Sequence, residues 1–81
     1  MRPVYEATRS DEKAFLRDIK PDTRLYVTHT GGHRAYSEWV VIKARSFTGQ
    51  PQVKSTDHGA VISAQSLLRS ERAVHTQRPT L

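Results

Sequence analysis

The 81-residue sequence predicts one small α+β domain: an N-terminal helix, a three-stranded antiparallel β-meander and a C-terminal helix. Three observations carry this. Near the N-terminus an apolar stripe of helical spacing lies between a capping serine and a proline. In the middle, two β-rich runs flank Gly31-Gly32. Toward the C-terminus a second helical stripe spans Val61 to Leu68. A chain of this length buries a thin core, so its stability rests on few side chains.

Residues 1–9 lack periodicity and read as an N-terminal arm, with Val4 and Tyr5 able to form a short edge strand. Ser10 is the expected N-cap. Asp11 and Glu12 follow in the first turn, where carboxylates suit the helix dipole. Phe15, Leu16 and Ile19 form the buried stripe of a helix over 10–20, which Pro21 stops. The β-rich run from Arg24 to Thr30 precedes Gly31-Gly32, and a second run extends from His33 to Phe47. Together they predict a hairpin. Thr48-Gly49-Gln50-Pro51 marks a second turn, and Gln52 to Thr56 completes the meander. Asp57, or alternatively Ser63, caps a helix over about 63–73. The compact domain is thus expected over 10–73, with a flexible tail over 74–81.

A Gly-Gly loop pairs Thr30 with His33 and His29 with Arg34, and this register sorts the hairpin into two faces. One carries Leu25, Val27, Arg34, Tyr36, Val40 and Ile42 and is expected to pack on the helix. The other carries Tyr26, His33, Trp39, Val41, Lys43 and Arg45. A three-residue loop would slip the pairing and scramble this division.

The net charge is +5, and residues 23–56 hold +4 of it; residues 1–22 sum to zero. Aromatic rings beside Lys and Arg on an open sheet suit nucleic acid, with rings stacking on bases and cations holding phosphates. The leading expectation is a small nucleic-acid-binding or regulatory protein, for DNA or RNA. Its candidate site is Tyr26, His33, Arg34, Trp39, Lys43 and Arg45. The alternative is a non-enzymatic adaptor or inhibitor that uses the same residues against an acidic protein surface. Trp39 and Val41 also have a plainer reading, as core beneath the C-terminal helix.

Other chemistry finds little support. There is no cysteine, and His29 and His33, though four apart as a helical ligand pair would be, fall on opposite faces of the expected hairpin, so neither a metal nor a cofactor is expected. No Walker or G-x-G-x-x-G pattern occurs, and Ser, His and Asp stand in no triad spacing. The longest apolar run, Trp39-Val40-Val41-Ile42, is far too short to cross a membrane. With no leader-like segment after Met1, the expected location is the cytoplasm.

Overall fold

The computed structural model describes residues 1–29 and 35–79. Six strands and two helices follow one another as β1 (Val4–Glu6), α1 (Arg9–Asp18), β2 (Arg24–Thr28), β3 (Tyr36–Ile42), β4 (Gln52–Ser55), β5 (Val61–Ser63), α2 (Ala64–Glu71) and β6 (Ala73–His75). All six join one antiparallel sheet in the order β1-β6-β2-β3-β4-β5. The three-stranded meander between terminal helices is therefore corrected. The meander β2-β3-β4 exists, but three further strands extend it. β1, β5 and β6 are three residues each, too short to show a period of two on their own. Val74 and His75, which the sequence places in a tail, belong to β6, which sits between β1 and β2.

β1 and β2 both run antiparallel to β6, so α1 is the crossover of a split βαβ unit. α2 likewise connects β5 to β6, which run in the same direction. The two crossovers traverse the sheet in opposite senses, so a common right hand places both helices on one face. Phe15 and Ile19 of α1 and Leu67 and Leu68 of α2 accordingly join Leu25, Val27, Val41, Val53 and Val74 in a single buried cluster. Among the described residues, the opposite face carries no helix.

Local chemistry sets the helix ends. α1 starts one residue earlier than expected, because Thr8 rather than Ser10 is the cap. The Asp11 N–H donates to Thr8 Oγ1 at 3.2 Å. The Asp11 carboxylate accepts the Glu6 N–H at 2.9 Å and Arg2 Nη1 at 2.6 Å, tying the first turn to β1. Ser63, the second of the two predicted caps, starts α2 and accepts the Ser66 N–H at 3.0 Å. Asp57 instead lies in the β4–β5 turn, where the Ser55 hydroxyl accepts its N–H at 3.2 Å.

The hairpin register differs by one residue from the sequence expectation. Leu25 pairs with Trp39 and Val27 with Ser37, and the His29 N–H donates to Ala35 O at 2.9 Å. The predicted pairs Thr30–His33 and His29–Arg34 fall on or beside residues 30–34, outside the described residues, and the observed register turns every β3 side chain to the other face. Val41 becomes core, 2% exposed, while Val40 and Ile42 move to the helix-free face.

Tyr5 links β1 to α1. It is buried against Phe15, with ring centroids 5.2 Å apart. Its hydroxyl donates to Asp18 Oδ2 at 2.7 Å and accepts the Arg2 N–H at 3.1 Å. Burial is the main cause of the upward shift of the Tyr5 phenol. The Tyr5 hydroxyl, followed by Arg17, holds the Asp18 carboxyl below its ordinary range. The signs follow from linkage. Asp18 contributes stability above the unfolded carboxyl pKa, and that stability is lost as pH falls through the lower folded value. Neutral Tyr5 contributes stability below about pH 10, lost as pH rises through its higher folded value. Tyr5→Phe is therefore expected to weaken both the acid and the alkaline fall in melting temperature. Melts across pH 2–11 test this. An acid limb unchanged from wild type would show that other groups, such as Asp11 and Glu12, carry it alone.

Candidate nucleic-acid interface

The predicted site residues separate in the fold. Tyr26 lies on the helix-free face, with Glu38 and His75 as its cross-strand partners. Trp39 lies on the opposite face, beside Leu25 and Ser55, packed partly against the core, its ring edge-on to that of His58 with centroids 6.2 Å apart. Lys43 and Arg45 are exposed beyond the end of β3. His33 and Arg34 fall outside the described residues.

Tyr26 does not offer a stacking platform. Only 6% of it is exposed, and Tyr36 meets it edge-on at 5.8 Å between centroids. Glu38 sits at the middle of this face and draws two cations to itself. Arg24 Nη1 reaches Glu38 Oε1 at 2.7 Å, and Arg78 Nη2 lies 3.8 Å from Oε2. Both cations at the centre of the open face are thus drawn to Glu38. Beside it, Val40, Ile42, Lys54 and Gly59 line a shallow, mostly apolar depression.

The β3–β4 loop is a different environment. The Gly49 N–H donates to Ser46 O at 2.8 Å, and the Ser46 N–H donates to Gln50 O at 3.0 Å. The Ser46 hydroxyl accepts the Gln50 N–H at 3.0 Å. Arg45 Nη1 donates to Gly49 O at 3.2 Å, bracing the turn from outside. Gly49 has φ +81°, a conformation that costs glycine nothing and other residues dearly. This built turn presents Phe47 with its whole side chain in solvent. Lys43 and Arg45 precede it in the chain, and among the described residues neither forms an ion pair.

Phe47 is the residue that sequence reasoning misses. The run from His33 to Phe47 contains neither Gly nor Pro, which places Phe47 at the end of a strand. Its position immediately before Thr48-Gly49 is the available signal. An aromatic adjoining a turn has less chance of a strand partner, and Lys43 and Arg45 stand close in sequence.

Among the described residues, no three His, Asp or Glu side chains group as metal ligands. No helix among them is long and apolar enough to cross a membrane. The chain is a two-layer α+β protein, with both helices on one face of its sheet and a braced, basic loop displaying an aromatic ring at one end. It matches no known protein family, no curated protein and no solved structure.

Proposed function

We propose that this protein binds single-stranded DNA or RNA through its β3–β4 loop, as a non-enzymatic cytoplasmic factor. Phe47 stacks on an unpaired base, while Lys43 and Arg45 hold the adjoining phosphates. The full exposure of Phe47 on a hydrogen-bonded turn carries the reading. An apolar ring held in water forgoes burial worth about 1.5–3 kcal/mol, and a turn that keeps it there is already ordered for a partner. The two loop cations lie in the most basic segment of the chain, residues 23–56, which favours a polyanion. Trp39 drops out of this site, since it packs on the helix side.

Fluorescence anisotropy with labelled oligo-dT and oligo-U tests the proposal. At about 0.15 M salt, Phe47→Ala is expected to cost about 1–3 kcal/mol of affinity with no change in salt dependence. Lys43→Ala with Arg45→Ala should lower the slope of log affinity against log salt by about 1.4, about 0.7 for each single-strand phosphate no longer held. Phe47 touches no core, so the variant's melting temperature should match wild type, and weakened binding then reports the base interaction rather than folding. Wild-type affinity in Phe47→Ala, or retention only at low salt, would overturn the reading. A specific protein partner that survives nuclease treatment and is lost in Phe47→Ala would support the adaptor or inhibitor alternative, with Phe47 as its anchor.

A further inference from the structure

The fold assembles a second basic surface from two segments, one whose charges cancel in sequence (residues 1–22) and one that carries only +1 (residues 57–81). Arg9, Lys13 and Arg69 line a depression between α1 and α2 together with Glu12 and Leu16. Arg69 and Arg72 line an adjoining one with Ala7 and Thr8. The acids of the same segments are mostly turned to other work. Asp11 is held by Arg2 and the Glu6 N–H, and Asp18 by Tyr5 and Arg17. Only Glu12 lines the groove, where it accepts from Gln65 and from Arg69 at 3.2 Å. Four cations therefore stand there against one carboxylate. Arg9, Lys13 and Arg72 are exposed and form no ion pair among the described residues.

Helix electrostatics accounts for only half of this cluster. Arg69 and Arg72 lie at the C-terminal end of α2, where the dipole favours cations. Arg9 is the first residue of α1, at the end where a cation is disfavoured, and Lys13 follows one turn later. An external anion would turn that arrangement favourable, since the positive end of the helix dipole and the cations then face the same charge. The groove has no aromatic residue in its lining and so has nothing to stack on a base. By topology, the start of α1 and the end of α2 lie at the end of the sheet opposite the β3–β4 loop.

We infer that the α1–α2 groove is a separate binding surface for the phosphodiester backbone of nucleic acid, one that holds phosphates without reading bases. The inference rests on the proposed nucleic-acid function and adds a surface to it. A blunt 20-base-pair DNA duplex removes the stacking contact of the loop, because it offers Phe47 no unpaired base, and the Arg9 and Lys13 variants then report what the groove adds to any phosphate contacts of Lys43 and Arg45. Arg9→Ala with Lys13→Ala is expected to weaken duplex binding and to lower its salt slope by about two, one for each phosphate no longer held. The exchange Arg9→Lys with Lys13→Arg should retain the slope. Alanine is the better helix former, so the double variant should melt no lower than wild type. Phe47→Ala should bind the duplex as wild type does. Undiminished duplex affinity and slope in the Arg9/Lys13 double alanine variant would overturn the groove, as would the absence of any duplex binding by wild type. Failure of the loop reading shows separately, as oligo-dT affinity that does not depend on Phe47.

Discussion

Val41→Asp is expected to leave the chain unfolded at 25 °C, whereas Val40→Asp, one residue away, is expected to fold. Val41 is 2% exposed and pairs across the sheet with Val53, which is fully buried. A carboxylate there has no cation within the cluster. Burying it costs several kcal/mol, or forces it to take up a proton. An 81-residue core supplies only a few kcal/mol of net stability, so such a cost exceeds the reserve. Val40 faces the other way, and its cross-strand partners are Arg24 and Lys54. An aspartate at 40 remains in reach of water and lies between two cations, which offsets part of the forgone apolar burial. Its expected cost is about 1 kcal/mol. Circular dichroism melts of the two variants decide the matter. The reverse outcome would restore the register in which Thr30 pairs with His33 and would reject the pairing of Leu25 with Trp39.

Removal of β6 is expected to have an effect as large. Deleting residues 73–81 takes away Val74, which is fully buried, and leaves β1 with no partner, since β1 pairs only with β6 among the described strands. It also strips β2 of its neighbour on one side. The expected product shows no cooperative thermal transition. Deletion of 77–81 retains the paired strand and the bonds from Thr76 to Pro3 O and Arg2 O. It removes the Arg78–Glu38 ion pair, which is solvent-exposed on the arginine side and weak by nature. That shorter truncation should fold, with a melting temperature lowered by only a few degrees. Equal behaviour of the two truncations would show that β6 does not hold the sheet together.

Both results turn on information that is unevenly spread along the chain. Helix α1 is legible because Phe15, Leu16 and Ile19 keep helical spacing between acidic residues and Pro21. α2 is legible, with its cap narrowed to two residues, because Leu67 and Leu68 continue the stripe that includes Ala64. The meander is legible from Gly31-Gly32 and Thr48-Gly49. The hairpin register is not. Trp39, Val40, Val41 and Ile42 are all apolar, so alternation cannot say which pair faces inward, and the choice passes to the length of the loop.

Candidate-site residues behave in the same way. The sequence puts Lys43 and Arg45 at the end of the second β-rich run, and the structure has both exposed beyond β3, because a charge needs no partner to be recognised. It groups Tyr26 with Trp39, because one assumed register places them on one face. Tertiary pairing puts them on opposite faces and leaves Phe47 as the exposed ring. It also brings Arg9 and Lys13 beside Arg69 and Arg72, although segment sums hide them behind Asp11, Asp18 and Asp22.

The amino-acid sequence by itself determined the two helices, the central meander, the basic middle and the absence of thiol chemistry. Each of these depends on residues within a turn or two of one another, or on composition alone. Only the tertiary structure decided that β1, β5 and β6 are strands, which β3 side chains are buried, and where the unpaired cations gather. A three-residue strand has no stability apart from the neighbour that hydrogen-bonds to it, and a side chain has no inside until a second layer covers it.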